Sequence, residues 1–439
     1  MIVVDNALMD RERAGKPIRV GLVGAGFAGK GFALQLLGGL PGMRLVAISN
    51  RTIAEAEQAV RMGNGTCTTV SSAEELEAAI DRNGNEVGKV AITSDAMLLC
   101  ASPSIDCIVE ATGEIEFAAQ VAMAAFATRK TVVVLNAELD ATLGPILRVK
   151  AQQCGAFFCQ ADGDQPAVIM NLYRYVKSIG FVPVMAGNIK SLQDHRRTPA
   201  TQAEFARNVW QRPKFITSFA DGTKISQEMA TVANATGFPV QKRSMLGPRC
   251  DHVDNAWKCF DPQVLMSTGL TDYILGAQPS FGVFVLAHCE HQPMKKRWMK
   301  VYKMGDGPFY TFYTPSHLSP IEAPNTVGRA VIFRDDPVKP LGGPVCDVVT
   351  VAKRALKAGE VLDGIGGFLT YGAIDNTPVA MQQNLLPMGL SEGCILKRDL
   401  PMDAAITFDD VEMPKGRLCD RLWREQVEHF GLRKIKKIA

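Results

Sequence analysis

The chain has 439 residues, 47% hydrophobic and 21% charged, with a formal net charge of +3. That composition is globular and long enough for roughly two to three domains, and the charge is too even for a nucleic-acid binder. The 11 cysteines include no Cys-x-x-Cys pair, so the common zinc and redox motifs are excluded and the thiols read as reduced groups of a cytoplasmic protein.

The N-terminus, MIVVDNALMDRERAGKP, mixes acids and bases without a long apolar run, so no signal peptide is expected. No stretch reaches the ~18 apolar residues that would cross a membrane. Then comes IRVGLVGAGFAG, an apolar strand (Ile18 to Val23) running into Gly24, Gly26, Phe27, Ala28 and Gly29 before a segment of helical spacing. Strand, G-x-G-x-x-G and helix in that order predict a dinucleotide site. Gly24 makes the turn, Gly26 lets backbone approach a pyrophosphate, and Gly29 packs the helix on the strand. A second strand, MRLVAISNRT, ends in Asn50 and Arg51 where an NAD site carries a carboxylate. Arg51 reads either as a partner for a 2′-phosphate or as a solvated side chain; the missing carboxylate favours NADP(H). Further strands are expected over SIDCIVEATG, ending at Ala111, Thr112 and Gly113, and over TVVVLNAEL, ending at Asn136, Ala137 and Glu138. Their carboxyl ends add to the cofactor site. A strand over GAFFCQADGDQP leads out of the domain.

The middle of the chain concentrates charge. Asp162, Asp164 and Gln165 follow that strand, and the two aspartates read either as turn formers or as ligands. An apolar helix, AVIMNLYRYVKSIG, and a β-like segment, FVPVMAGNIKSLQDHRRTP, come next, with Lys190, Asp194, His195, Arg196 and Arg197 in the latter. The arginines read either as a solvated pair or as a phosphate site. DGTKISQEM then opens a helix with Asp221 before it and Lys224 on its first turn, where the macrodipole disfavours a cation. Asp221 reads either as an N-cap or as the group that orients Lys224. A lysine beside a carboxylate near a nicotinamide can polarise a carbonyl or take a hydroxyl proton. His288 and His291 show an HxxH spacing, but on a strand it splits the rings between opposite faces, so no metal site is expected there. The basic cluster Arg433, Lys434, Lys436 and Lys437 reads as a solvated tail.

The glycine motif, VVVLNAEL, FFCQADGD and DGTK, in this order, resemble the homoserine dehydrogenase-like NADP oxidoreductases. That family's strand usually ends in Asn-Lys with a catalytic lysine; here the pair is Asn136-Ala137, which argues against homoserine as substrate. GNIKSLQDHRRTP, TSFADGTK, YKMGDGPFYTFYTPSHL and LPMGLSEGCILKRDL are similar to the branch that includes the second type of 1-deoxy-D-xylulose 5-phosphate reductoisomerase. In the C-terminal part Lys353-Arg354-Ala355-Leu356 is echoed by Lys397-Arg398-Asp399-Leu400, which looks like an SAF-type β-clip, taken as a structural or oligomerisation module.

The resemblance implies an α/β protein. A Rossmann-type parallel-sheet NADP domain is expected over residues 1–160, an α+β catalytic and dimerisation domain over 161–335, an SAF-like clip over 336–425 and a basic tail over 426–439. It implies NADPH-dependent rearrangement and reduction of a small phosphorylated or polyhydroxy substrate. The rivals are a dehydrogenase of another polyol, hydroxy acid or sugar phosphate, and a non-catalytic NADP sensor. Lys224, Lys190, Asp194 and Asp221 are the expected catalytic groups. Arg196, Arg197, Asp162 and Gln165 are expected on the substrate. Asp162 and Asp164 are expected on a divalent cation such as Mg²⁺ or Mn²⁺, by analogy with the first type of reductoisomerase. A homodimer or higher homo-oligomer is expected, with the segment DYILGAQPSFGVFVLAH as a long apolar strand for pairing.

Overall fold

Seven parallel strands form the sheet of the first unit. They are β1 (Ile18–Val23), β2 (Met43–Ser49), β3 (Thr66–Thr69), β4 (Lys89–Thr93), β5 (Cys107–Glu110), β6 (Thr131–Val134) and β7 (Phe157–Gln160), in the order β3-β4-β2-β1-β5-β6-β7. The structure is a computed structural model and describes residues 3–289 and 293–432. The expectations placed on His291 and on the tail from Arg433 lie outside the described residues. The central strands are continuous apolar runs because helices cover both faces, and Val20, Leu22, Ile48, Val109 and Val133 are all fully buried. β1 pairs with β2 on one side and β5 on the other. The winding therefore reverses at β1, and a crevice opens at the carboxyl ends of β1 and β5. This α/β unit runs to Asp164 and takes in Leu318–Pro337, whose Ala323, Val327 and Ala330 enter its core.

Two strands end earlier than the sequence implied. β5 stops at Glu110, and TVVVLNAEL is strand only to Val134. Asn136 instead caps a helix, Ala137–Gln153, its Oδ1 accepting from Leu139 N at 3.0 Å. The apolar run continues through the boundary, so period alone did not mark it; an asparagine three residues before a free N–H did.

The second unit is Gln165–His317 with the chain from Val338 on. Its main sheet has the order β11-β10-β8-β9, from β8 (Val182–Lys190), β9 (Leu270–Leu275), β10 (Val283–His288) and β11 (Phe309–Thr314). The expected long strand DYILGAQPSFGVFVLAH is thus two strands. Gly276 and Gly282 have φ of 80° and 120°, and Pro279 lacks an N–H, so the ladder breaks between them. β9 runs parallel to β8 and β10 antiparallel to it. Both are already buried inside the unit, against a core that includes Val253, Phe260 and Leu265. The segment after Lys190, expected as strand, is a turn-rich loop.

The helix Thr223–Thr236 is buried along its whole length. One side meets β12 (Cys346–Ala352) and β13 (Thr370–Asn376), an antiparallel pair; a shorter pair, β14 (Ile395–Leu396) and β15 (Val411–Glu412), follows. Asn234 Oδ1 accepts from Cys346 N at 3.1 Å and Val345 N at 2.7 Å. The opposite face of β12 and β13 carries its own core of Val349, Val351, Tyr371, Ala373 and Leu385.

Candidate active site

In the first unit the glycine turn has the shape the sequence implied. Gly24 has φ 101°, and a Cβ there would lie 2.9 Å from the carbonyl carbon of Ala111, so β1's turn presses on the end of β5. A Cβ on Gly29 would meet Gly24 O at 2.0 Å, which fixes the helix against the strand. Gly26 is different: nothing lies within 4 Å of its Cβ position. It is the N-cap of the helix Phe27–Leu37 and offers no side-chain acceptor to the first-turn N–H groups. An open approach over unsatisfied N–H groups fits a pyrophosphate. Phe27 is 54% exposed beside it and Ala28 is half-buried. Asn50 is occupied: Oδ1 accepts from Ala25 N at 2.9 Å and Nδ2 donates to Thr52 O at 2.8 Å. Arg51 is exposed just beyond it.

At the end of β5, Thr112 N donates 2.7 Å to Glu110 Oε1, and Gly113 is exposed with φ 75°. Glu110 was not expected as a site residue. Burial pushes its carboxyl up to about 7, with Glu138 adding to the rise and Thr112 and Asn136 opposing it. Glu138 is buried on the first turn after Asn136. Sequence pattern hid Glu110 because it sits at the end of an apolar strand.

Asp162 and Asp164 belong to this unit. Asp162 Oδ2 accepts from Arg329 Nη1 at 2.9 Å and Thr326 Oγ1 at 3.0 Å. Asp164 Oδ2 accepts from Gln160 Nε2 at 3.2 Å. No group of three His, Cys, Asp or Glu side chains able to hold a metal occurs among the described residues. The residues thus do not fit the expected divalent cation: Arg329, remote in sequence, supplies positive charge to Asp162. Gln165, 4% exposed, begins the second unit's helix Gln165–Ser178.

In the second unit, Asp221 and Lys224 are buried at the start of the Thr223–Thr236 helix, 0% and 5% exposed. Gly222, with φ 93°, lets the chain enter that helix from a left-handed conformation. The N-cap of the helix is Gly222 rather than Asp221; from one residue earlier, Asp221 Oδ1 accepts from Thr223 N at 2.8 Å, a turn bond that still satisfies the first N–H of the helix. Its charged partner is Lys353, whose Nζ lies 2.7 Å from Oδ2 and also donates to Gly367 O at 2.7 Å. The Lys353–Asp221 contact is an ion pair set off the ideal hydrogen-bond direction. Burial raises the Asp221 carboxyl above the usual range, and the Lys353 ammonium pulls against that. Lys224 Nζ faces Glu228 Oε1 at 3.9 Å, one turn on, and Glu228 Oε2 accepts from Asn188 Nδ2 at 3.3 Å. Glu228 was visible in sequence as an acid four residues after a lysine. Lys353 was visible only as part of a repeated motif.

The loop after β8 wraps the same turn. His195 Nδ1 lies 2.7 Å from Asp221 O, and the ring stacks on Tyr371 with centroids 4.3 Å apart. Asp194 takes Arg197 Nε at 3.0 Å and the Arg196 N–H at 3.0 Å. Arg196 reaches away to Asp403 Oδ2 at 2.5 Å and Lys353 O at 2.8 Å. The two arginines are therefore engaged by different carboxylates, Asp403 and Asp194. Lys190, half-buried at the end of β8, has its Nζ 5.8 Å from the centre of the Phe219 ring. His288 is buried in β10.

Residues 163–323 match a family described as oxidoreductase DRL, catalytic domain. The match covers less than half of the chain and is a similarity to an oxidoreductase catalytic domain. No curated protein matches the chain. Among solved structures, an NAD binding oxidoreductase from Klebsiella pneumoniae is 17% identical, with 42% of this chain and 48% of that chain covered and a TM-score of 0.29. The chain thus spans about half the length of that structure. A myo-inositol dehydrogenase from Lactobacillus casei, in complex with NAD(H) and myo-inositol, is 13% identical over 75% of this chain and 89% of that one, with a TM-score of 0.41. A probable dehydrogenase from Thermotoga maritima is 12% identical over 73% and 90%, also with a TM-score of 0.41.

Proposed function

We propose that the protein is an NADP(H)-dependent oxidoreductase that reduces a carbonyl of a small polyhydroxy or phosphorylated substrate, with Lys224 as the proton donor. The observation that carries this reading is a lysine, 5% exposed, on the first turn of a wholly buried helix and next to the buried Glu228, within the oxidoreductase catalytic match. A cation there works against the helix dipole and against burial, so stability alone is a poor reason for it.

A bound nicotinamide supplies the hydride. The chain's own residues hold and protonate. The open N–H groups at Gly26 receive the pyrophosphate, and Arg51 meets a 2′-phosphate in place of the carboxylate an NAD site would carry. The Lys224 ammonium donates its proton to the carbonyl oxygen as it becomes an alkoxide, and in reverse the neutral amine accepts the hydroxyl proton. Glu228 stabilises the ammonium form between turnovers. Lys190 is the candidate for the substrate's anionic end. No step runs through a divalent cation.

Within this class, the resemblance of GNIKSLQDHRRTP and TSFADGTK favours the second-type reductoisomerase reaction, in which a phosphorylated hydroxy ketone is rearranged before reduction. The engagement of Asp162 by Arg329 favours the second reading, a polyol or sugar-phosphate dehydrogenase without rearrangement. Mass spectrometry of the products from 1-deoxy-D-xylulose 5-phosphate, NADPH and Mg²⁺ separates them: a branched carbon skeleton supports the first, and simple reduction the second. Lys224→Met should lower kcat on the order of 10²-fold or more while leaving NADPH binding nearly intact. Wild-type turnover in that variant removes Lys224 from the chemistry. Tight NADPH binding with no oxidation on any carbonyl favours a sensor. We read residues 336–425 as the SAF-like clip, and a homodimer as the assembly, which sedimentation tests.

A further inference from the structure

Lys353 is 4% exposed, yet it lies in a module whose other copy of the same motif keeps its lysine, Lys397, exposed. The clip itself therefore does not require a buried ammonium at this place. What lies opposite Lys353 is Asp221, whose two oxygens both face donors: Thr223 N at 2.8 Å and Lys353 Nζ at 2.7 Å. A protonated carboxyl would present a hydrogen to one of them, so the arrangement suits the carboxylate. Neither charge has water to fall back on, their side chains being 3% and 0% exposed.

A second strut joins the same two segments. Thr223 Oγ1 accepts from Gly372 N at 2.8 Å, and a Cβ on Gly372 would stand 2.9 Å from Thr223 Cγ2. The residue before Lys224 is thus held by backbone of β13, and Asp221, whose carboxylate takes Thr223 N, is held by the lysine that follows β12. Lys353 also ties down Gly367 O, in the loop that leads into β13.

We infer that Lys353 is a positioning residue for the proton donor: through Asp221 it fixes the first helical turn, and with it Lys224, to the C-terminal module. The inference rests on the reading of Lys224 as that donor. The C-terminal module then takes part in the reaction site as the support of its acid. A displacement on the order of 1 Å at such a group is worth about 10²-fold in rate.

The test compares Lys353→Met, Lys353→Arg and Lys397→Met in the full chain. NADPH oxidation is followed over a panel of sugar phosphates and polyol-derived ketones, and amide exchange is followed by mass spectrometry. In Lys353→Met, kcat should fall about 10- to 100-fold with KM changed less than about threefold. Lys353→Arg should recover most of the loss, and Lys397→Met should match wild type. Amides over residues 222–227 should exchange at least tenfold faster in Lys353→Met, on the order expected for a freed helix turn, with the rest of the unit unchanged. A folded Lys353→Met with wild-type kcat, or with unchanged exchange at that turn, overturns the inference. Should Lys353→Met not fold, the double variant Asp221→Asn/Lys353→Met carries the same exchange test; unchanged protection there also overturns it. If wild type oxidises NADPH on no carbonyl, the reading of Lys224 falls, while the exchange arm still decides whether Lys353 holds the turn.

Discussion

Lys353-Arg354-Ala355-Leu356 and Lys397-Arg398-Asp399-Leu400 are nearly the same peptide, and the fold pairs them. Leu356 N donates to Leu400 O at 2.9 Å and Leu400 N returns the bond to Leu356 O at 3.0 Å. Each arginine finds an acid, Glu360 at 2.8 Å for Arg354 and Asp410 at 2.5 Å for Arg398. Each lysine N–H enters a backbone bond, to Leu369 O and to Asp410 O respectively. The third positions differ, since Asp399 accepts from Lys357 Nζ and Ala358 N where the other peptide has Ala355; among the shared residues, the lysine side chains part company. Lys353 goes inward to Asp221 and Lys397 stays in solvent. Backbone and motif are shared, so the difference comes from what packs on the module: one face meets a helix end with a buried acid. A repeated motif therefore reports the scaffold, and its function is decided by the partner surface.

The largest expected effect tests that contrast directly. Removing one member of a buried ion pair strands the other, at a cost of about 3–5 kcal/mol, so Lys353→Met should shift the denaturant midpoint strongly. Lys397→Met should change stability by no more than about 0.5 kcal/mol. Removing both charges together, in Asp221→Asn/Lys353→Met, should cost clearly less than Lys353→Met alone, because no stranded carboxylate remains. Equal midpoints for Lys353→Met and Lys397→Met would mean that the inward lysine is merely buried and not bonded.

A second buried acid in the module sharpens the comparison. Asp347 on β12 stands opposite Asp375 on β13. Asp375 is held by Arg243 Nε at 2.7 Å, whereas burial pushes the Asp347 carboxyl up to about 6, with Asp375 adding to the rise and Thr377 opposing it. A raised carboxyl binds its proton more tightly when folded. Its contribution therefore favours the fold at low pH, declines as pH rises from about 4 to about 6, and is constant above that. The shift corresponds to about 3 kcal/mol lost across that window. Asp347→Asn should remove this slope and stabilise the protein at pH 7, by at most that amount. Chemical unfolding at pH 4.5 and pH 7 measures it; a variant with the wild-type slope would assign the slope to another group. Asp272 is the control: burial raises it to about 6 as well, but Leu246, Gly247 and Tyr273 N–H groups all donate to it. Asp272→Asn should destabilise instead, since an amide nitrogen replaces one acceptor.

What sequence made legible follows the same division between local and remote. The glycine turn is local: strand, Gly24, Gly26, Gly29 and helix are contiguous, and the chemistry of each position is set by its neighbours. The start of the 223–236 helix was legible for the same reason, although its N-cap is Gly222 and Asp221 stands one residue before it. Two boundaries failed where apolar pattern ran through a break, at Asn136 and across Gly276–Gly282. The charge partners failed most. Asp221 looked like the partner of Lys224, three residues away, but the helix directs Lys224 toward Glu228 and the fold brings Lys353 to Asp221. Asp162 looked like an open ligand until Arg329 arrived from the returning segment. Periodicity assigns a residue to a face of its own element, and says nothing about which remote side chain meets that face.

The smallest expected effect lies in the two arginines, where the paired segments should behave alike. Arg354 is half exposed in its pair with Glu360, and Arg398 is mostly exposed in its pair with Asp410. Asp410 itself is buried, but with the arginine this open to water such pairs contribute about 0–1 kcal/mol and weaken with salt. Asp410 also accepts from Thr407 N at 2.9 Å and Thr407 Oγ1 at 2.7 Å, so it keeps two partners when Arg398 is removed. Arg354→Ala and Arg398→Ala should then give nearly equal losses, each below about 1 kcal/mol and smaller still in 1 M salt. A loss of several kcal/mol for one arginine only would place the asymmetry of the two segments in their arginines as well, and the partner surface met by Lys353 would no longer account for it alone.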